Sequence, residues 1–385
     1  MFGHLDRGAA GRPLGRARGH AKRCRRTSLV GTDACCRTFG PERSWECGRS
    51  CRPSRSRRPL MSENQLSMEQ IDVLLSAAIA APSMHNTQPW RFEVNGPVID
   101  VFLDGSRALP AEDSTGRAMR IAAGAATFNL RCAAASMGYG SWFGLAPDPA
   151  EPDLVARIVV EPISEPDRVL KRLAHEIPRR HTSREPVRTY LSTDDRTALI
   201  AAAMAEGAEL TWLPAPQVRE VLGMLIDTDL REIGDWHRRA ERAHWIGGDR
   251  ATDGVPSSVL GPRSTAYPSP VRDLGTRPAD EARARATFEA DPALTVLSTE
   301  GDTTADQLMA GLALQRILLT ATRDGLKASF LNQPLEFDDL RRKVQRATGK
   351  PGFAHMVIRF GHGTVKTTTP RRPVSAVVRS GPEGS

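Results

Sequence analysis

An α+β fold holding two tandem copies of one unit is the architecture that this chain of 385 residues predicts. Three observations carry that expectation. Helical and strand-like periodicities alternate through the body of the chain, as a layered fold requires. Residues 124–143 (GAATFNLRCAAASMGYGSWF) have an echo in residues 311–330 (GLALQRILLTATRDGLKASF), with glycines recurring at offset 14 and phenylalanines at offset 19. A strand then closes each repeat, at residues 155–160 (VARIVV) and 356–360 (MVIRF).

The first helix is announced by Ser67 and Gln70, a capping-box pair, and by Ile71, Leu74, Leu75, Ala78 and Ile79 at helical spacing. It must stop ahead of Pro82, because a residue before proline disfavours helical backbone. Ser83, His85, Asn86 and Gln88 then crowd a short turn that reads as a ligand-binding corner between helix and sheet. Residues 90–94 (WRFEV) and 98–103 (VIDVFL) flank Asn95-Gly96, a strong hairpin signal, with Pro97 suited to an edge. Each long repeat helix is apolar nearly all round, as expected of a helix buried between layers. Gly138 and Gly325 stand where a left-handed C-cap would end them. Beyond the strands that follow, Pro147 aligns with Pro334, and Asp153-Leu154 has a near counterpart in Asp339-Leu340. Residues 178–186 (PRRHTSREP) open the second half with a cationic turn. Between about residues 229 and 288 that half carries a segment rich in Trp, Arg, Gly and Pro with no counterpart in the first. Leu230, Ile233 and Trp236 give its start a helical pattern, and a long insertion of this kind is usually functional or disordered.

Charge divides the chain. Residues 1–60 hold 15 of the 53 Lys and Arg but only four acids, Asp6, Asp33, Glu42 and Glu46. This head therefore carries more positive charge than the whole chain's net +8, and the remainder is slightly acidic. With little periodicity it cannot bury enough apolar surface to offset chain entropy, and it is expected to be disordered. Its clustered arginines could make a nucleic-acid-binding arm, although interleaved aromatics are lacking. The preferred reading is that Met61 is the real start, since the capping box begins directly after it, and no nucleic-acid partner is expected. Five of the six cysteines (Cys24, Cys35, Cys36, Cys47, Cys51) also lie in the head, leaving only Cys132 in the body, so no disulfide framework is suggested. Cys47-x3-Cys51 with Cys35 and Cys36 lacks the C-x2-C pairs and partner histidines of a zinc site, and no metal is expected. No apolar run reaches the roughly 18 residues that span a bilayer, and the head lacks the apolar core of a secretory signal. A cytoplasmic location without membrane contact is the expectation that remains.

The corner sequence A-P-S-x-x-N-x-Q-P-W, at residues 81–90, resembles the flavin-contacting motif of the FMN-dependent nitroreductase family. Residues 180–184 (RHTSR) resemble that family's R-x-S-x-R phosphate motif, with Thr182 in place of serine. Arg180 and Arg184 offer fork-shaped charged donors and Thr182 a hydroxyl, which suits a phosphate monoester at roughly 1.5–3 kcal/mol per charge-assisted bond. In the resembled dimeric enzymes each flavin lies at the subunit interface and takes one motif from each subunit. Here the first half has no R-x-S-x-R before Ser67, and the second offers only residues 203–208 (AMAEGA) where the corner would stand. One complete site per chain follows, as in the single-chain Acg-type branch of the family, over about residues 66–376. The resemblance implies a nitroreductase-like fold of two tandem half-domains, residues 61–165 and 166–376, with residues 377–385 as a tail. These would form an intramolecular pseudo-dimer with mixed sheets flanked by helices, so that a monomer is possible.

The same resemblance implies the site. Pro82, Ser83, His85, Asn86 and Gln88 come from the corner, and Arg180, His181, Thr182 and Arg184 from the phosphate motif. Asn332, Gln333 and Pro334 follow the second long helix, where the family places groups beside the isoalloxazine ring. Arg371 or Arg372, in residues 369–373 (TPRRP), would be a third cation from the family's closing basic segment. The implied cofactor is FMN, the implied reductant NAD(P)H, and the implied reaction hydride transfer through flavin N5 to a nitroaromatic or quinone-like small-molecule acceptor. Because the flavin carries that chemistry, no catalytic side chain is nominated. No G-x-G-x-x-G follows a strand, so no separate nicotinamide domain is expected. The alternative is a catalytically weak protein that sequesters FMN, with residues 229–288 as the lid that Acg-type proteins place in this region.

Overall fold

The structure, a computed structural model, describes residues 65–365 and 368–378. The arginine-rich head, its cysteines, Met61 and most of the tail lie outside them. The first helix, α1 (Met68–Ile79), opens on the expected capping box, with Ser67 Oγ accepting from Gln70 N at 3.2 Å and the Gln70 side chain accepting from Ser67 N at 2.8 Å. It buries Leu74, Leu75, Ala78 and Ile79. β1 (Trp90–Asn95) and β2 (Val98–Leu103) form the expected hairpin one residue out of place: Asn95 pairs with Val98, so the turn residues are Gly96, at φ 59°, and Pro97. α2 (Arg117–Ser136), β3 (Tyr139–Leu145) and β4 (Leu154–Pro162) complete the first unit.

The second unit contains α3 (Arg168–Ala174), α4 (Thr193–Met204), β5 (Glu209–Trp212), α5 (Ala215–Gly234), α6 (Trp236–Trp245), and the short β6 (Arg263–Ser264) and β7 (Arg285–Ala286). It continues through β8 (Ala293–Thr299), α7 (Thr304–Arg323), β9 (Leu326–Phe330), α8 (Asp338–Ala347) and β10 (Phe353–His362). The two four-stranded sheets run β1-β2-β4-β3 and β5-β8-β10-β9, the same order in each. All pairings within them are antiparallel. The mixed character enters through single parallel bridges, Phe92 to Val378 and Thr182 to Ala328, and through the small β6–β7 pair.

Two expectations are revised, and a third is met with a qualification. Asp153-Leu154 and Asp339-Leu340 are not counterparts, because Leu154 starts β4 whereas Leu340 sits in α8, a helix inserted between β9 and β10. The segment that parts β5 from β8 spans residues 213–292, starting ahead of residue 229, and it replaces what is a two-residue turn between β1 and β2. Leu230 and Ile233 do lie on a helix, but on the outer face of α5, and with Trp236 they are more than 60 % exposed. Their pattern gave the helix and not its buried side, which Val218, Val221, Leu222 and Leu225 supply.

At the centre α2 packs against α7, each apolar nearly all round as the sequence expects. Their backbones meet at two glycines in a reciprocal contact. A Cβ on Gly124 would stand 2.1 Å from Leu308 O, and one on Gly311 would stand 2.1 Å from Ile121 O. In both cases the obstacle is the carbonyl three residues before the facing glycine, so the crossing is the same read from either helix. Near it Asn129 receives a bond from Gln315 Nε2 at 2.7 Å and donates to Ala77 O at 2.8 Å, tying α7 to α2 and α2 to α1. Gly138 (φ 89°) and Gly325 (φ 75°) then end the two helices as left-handed residues.

Substituting Gly124 with Ala forces a side chain into backbone that cannot yield, and overpacking of this kind costs about 1–3 kcal/mol. The expected result is a lower urea midpoint for Gly124→Ala; a midpoint equal to the parent's would mean that the helices part freely.

Candidate functional site

The corner after α1 is tightly wound. His85 (φ 49°), Asn86 (φ 57°) and Gln88 (φ 52°) all occupy the left-handed region without being glycine, at about 1–3 kcal/mol each. Ser83 Oγ braces the turn by accepting from Gln88 N at 2.9 Å. The strain is offset by side-chain bonds across long stretches of chain. Asn86 Nδ2 donates to Gly254 O and to Pro370 O, both at 2.9 Å, while its Oδ1 accepts from Arg371 at 3.0 Å. Gln88 Nε2 donates to Thr252 O at 2.9 Å, and its Oε1 accepts from Arg372 N at 2.9 Å. These two amides therefore staple the insertion and the C-terminal segment to the corner.

A cavity of about 180 Å³ opens beside this corner, with Pro82, Ser83, His85, Asn86, Arg180, His181, Thr182, Arg184, Asn332, Gln333 and Arg371 in its wall. Of the residues expected from sequence, Gln88, Pro334 and Arg372 are not in the wall. Gln88 is buried behind it, and Pro334 lies in a buried turn. Arg372 turns toward Gln88 O, Ala376 O and Asp104. Asn332 faces the cavity with its amide already engaged, its Oδ1 accepting from Val357 N at 2.9 Å and its Nδ2 directed at Met356 Sδ at 3.4 Å.

Three guanidinium groups at the site lack a counter-charge. Residues 180–184 lie along the edge of β9, held by the Thr182–Ala328 bridge and by Ser183 N donating to Ala328 O at 2.9 Å. That register points Arg180 at the C-terminal end of α1, where it donates to Ala80 O at 3.2 Å. Arg371 reaches the same end, donating to Ala80 O at 3.3 Å and Ala81 O at 3.4 Å. The last carbonyls of a helix favour cations, yet they are half-charges against two full ones. Arg184 has only Val259 O, at 3.3 Å. Burial pushes Arg180 down to about 9, with Arg371 adding repulsion, and pushes Arg184 and Arg371 each to about 10. Among the described residues no carboxylate pairs with any of the three, and Arg180 Nε and Arg371 Nε have no acceptor at all. Buried cations in this state call for an anion. A dianionic phosphate monoester fits the donor set.

The cavity wall is also rich in paired charge, and none of it is expected from sequence. Glu112, Glu232 and Glu336 bring carboxylate oxygens within 4.8 Å of one another. The Arg272 guanidinium bonds all three, at 3.2, 2.6 and 2.7 Å respectively, and so stands where a divalent cation would otherwise be needed. Arg242 joins Glu112 at 2.6 Å to Glu232 at 2.9 Å, and Arg238 bonds Glu336 at 2.8 Å. Glu241, also on α6, accepts from Ala111 N and Glu112 N. Burial opposes the Glu112 charge, but His85, Arg272 and Arg242 outweigh it and hold the carboxyl well below the ordinary range. Burial wins for Glu336, helped by repulsion from Glu112 and Glu232, and its carboxyl is raised. This network clamps residues 232–272 over the cavity.

His85 Nε2 lies 2.5 Å from Glu112 Oε2. Arg117, at the start of α2, spans the floor by donating to His355 O at 2.8 Å and Leu335 O at 3.1 Å. His355, fully buried, has Nε2 2.6 Å from Thr299 Oγ1, and burial with the nearby Arg117 and Arg341 pushes it down to about 3. The Oε1 of Gln333 is buried without a donor. Glu112, Arg117, Arg272, Glu336 and His355 are scattered through loops and element ends, where no spacing marks them as one cluster.

The sequence model described as the nitroreductase family matches residues 54–97, which include the strained corner. A protein of Mycobacterium tuberculosis named "Putative NAD(P)H nitroreductase Rv3131" is 31% identical over 323 residues, covering 80% of this chain and 91% of that one. "Uncharacterized protein Rv3127" from the same organism is 28% identical over 327 residues, covering 80% and 92%. "Putative NAD(P)H nitroreductase acg" is 26% identical over 323 residues, covering 82% and 97%. Among solved structures, a nitroreductase with bound FMN from Bacteroides fragilis shows 17% identity and a TM-score of 0.34, covering 57% of this chain and 98% of that one. No helix among the described residues is long and apolar enough to cross a membrane.

Removing Arg272 leaves three buried carboxylates short of a cation. Arg272→Met is expected to cost about 3–5 kcal/mol and to release residues 232–272 to protease, read as early cleavage there; equal resistance to cleavage would show that the clamp is not what holds the segment. His355 gives a pH signature. An unfolded histidine binds its proton near pH 6.5, whereas the folded one does so only near 3, so between those values unfolding takes up a proton and stability falls as pH falls. From pH 7.5 to 5 this contribution amounts to about 2 kcal/mol, and the urea midpoint of His355→Gln should fall less over that interval than the parent's.

Proposed function

This chain belongs to the nitroreductase family of oxidoreductases, and on that premise we propose that it binds FMN and passes hydride from NAD(P)H to a small acceptor such as a nitroaromatic or quinone. The observation that carries the reading is the group of three guanidinium groups, Arg180, Arg184 and Arg371, which no carboxylate answers among the described residues. A phosphate monoester supplies the missing charge, and Thr182 supplies a hydroxyl beside it. The relatives' names support NAD(P)H as the electron source.

In this reading the bound flavin supplies the redox chemistry, accepting and releasing hydride. The chain's own residues do the rest. Arg180, Arg184 and Arg371 hold the phosphate. The corner at Pro82 and Ser83 and the buried amide of Gln333 shape and line the ring's pocket. The arginine–glutamate clamp holds residues 232–272 down against the cavity. We further read residues 61–165 and 166–376 as two copies of one unit, so that a single polypeptide supplies both motifs and no partner subunit is required. The matching strand orders and the reciprocal glycine contact support this. A small-molecule acceptor and a cytoplasmic setting complete the reading.

The clamp also favours a second reading, in which the cavity stores FMN without admitting a bulky acceptor. One experiment separates them. Purified protein is assayed for flavin content and then mixed with NAD(P)H without oxygen. About one FMN per chain that bleaches supports the reductase, one FMN that stays oxidised supports storage, and no flavin uptake refutes both. Arg180→Met and Arg371→Met are each expected to weaken FMN binding by roughly 10- to 150-fold, the equivalent of about 1.5–3 kcal/mol for a bond to a charged group. Titration of apoprotein with FMN, followed by fluorescence quenching, measures it.

A further inference from the structure

We infer that His85, held by Glu112, delivers the proton that an acceptor requires as it is reduced in this cavity. The inference rests on the proposed oxidoreductase reading and adds a side chain to a reaction that otherwise needs none.

The arrangement is a carboxylate, an imidazole and a cavity in series. Glu112 has a fully buried side chain and accepts from Arg242 and Arg272, so its carboxylate is fixed in place and in charge. A carboxylate can only accept, which puts a proton on His85 Nε2, the nitrogen 2.5 Å away. The tautomer is set by that contact. Nδ1 has no hydrogen-bond partner among the described residues, and the ring lies in the cavity wall. Its neighbours in the corner differ: Asn86 and Gln88 have both ends of their amides occupied by protein. The backbone of His85, at φ 49°, is strained to hold the ring there.

The other titratable groups that line the wall and could give a proton are engaged by the protein. The arginines keep theirs. Asp113 caps α2 through Ala118 N and Met119 N, and Glu336 is bound by Arg238 and Arg272. His355 stays neutral far below pH 7. His181 stands beside Arg180 at the phosphate end, with Nε2 3.1 Å from Pro178 O, and burial with Arg180 disfavours its charged form.

The chemistry balances for a quinone. It takes two electrons and one hydrogen as hydride from the reduced cofactor, while a carbonyl oxygen takes a proton from His85 Nδ1. An N–H bond breaks and an O–H bond forms, the product is the hydroquinone, and the neutral imidazole recovers its proton from water. Glu112 accepts from Nε2 and holds the ring's direction throughout, so Glu112 is a positioning residue.

The test uses the full chain loaded with FMN, with menadione as acceptor, and times the two half-reactions separately by stopped flow. Only reoxidation by menadione needs the proton. In His85→Gln the ratio of the reoxidation rate to the reduction rate is expected to fall by about 10²-fold or more, and Glu112→Gln to fall by less. His85→Gly suits the left-handed backbone and should recover part of the ratio when imidazole is added. A readout independent of turnover is long-range 15N NMR of flavin-free protein. There His85 should carry its fixed proton on Nε2, and that preference should disappear in Glu112→Gln. An unchanged ratio in His85→Gln, in a parent that binds and cycles FMN, overturns the inference alone. A proton fixed on Nδ1 does the same. A parent that takes up no FMN overturns the proposed function and this inference with it.

Discussion

The close approach of α2 and α7 at Gly124 and Gly311 is the constraint on which the rest of the molecule depends. Two backbones can come this near only where both helices lack a side chain, and the contact is reciprocal, so it fixes the distance and the rotation of one helix against the other. The cavity is assembled from what that placement brings together. The start of α2 supplies Arg117, the end of α1 supplies carbonyls, and the β9 edge carries residues 180–184. A slip of a single turn at the crossing would separate Arg180 from the α1 terminus it binds.

Buried charge is then divided into two economies within one cavity. Arg238, Arg242 and Arg272 are matched against Glu112, Glu232 and Glu336, and that group is complete within the protein. Among the described residues Arg180, Arg184 and Arg371 are answered by carbonyl oxygens and, for Arg371, by the Thr369 hydroxyl, but by no carboxylate. Desolvating a charge is costly unless it is paired, so the first group can close over the cavity by itself while the second favours an anion. The contrast sets a paired group of charges and an unpaired one in the same cavity wall, and His85 joins the paired group through Glu112.

Much of the fold was legible in the sequence because local rules and tertiary demands agree there. The capping box at Ser67, the glycine stops at 138 and 325, and the all-round apolar character of α2 and α7 each have one physical cause and one outcome. The hairpin turn moved by one residue, since Gly96 and Pro97 make the turn and leave Asn95 in the ladder. Leu230 and Ile233 gave the helical start of the insertion, but their spacing says nothing about which side of α5 meets the core. At the site, Arg180, Arg184 and His85 were visible as dense polar motifs. The glutamate–arginine clamp was not, because its members are single residues separated by as many as 224 positions, from Glu112 to Glu336, and only the folded chain makes them neighbours. Gln88 and Arg372 were placed in the right neighbourhood, but they bind the chain to itself.

The segment between β5 and β8 stands where the other unit has only Gly96 and Pro97. Its two ends leave the sheet side by side from a paired ladder, Trp212 opposite Thr295. To the sheet it is a closed loop, however long, and loop length adds little entropic cost once the ends are joined. Substitution, shortening or exchange of this segment during divergence can therefore change which molecules reach the cavity without disturbing strand register. The sheet is thereby indifferent to what its longest loop contains.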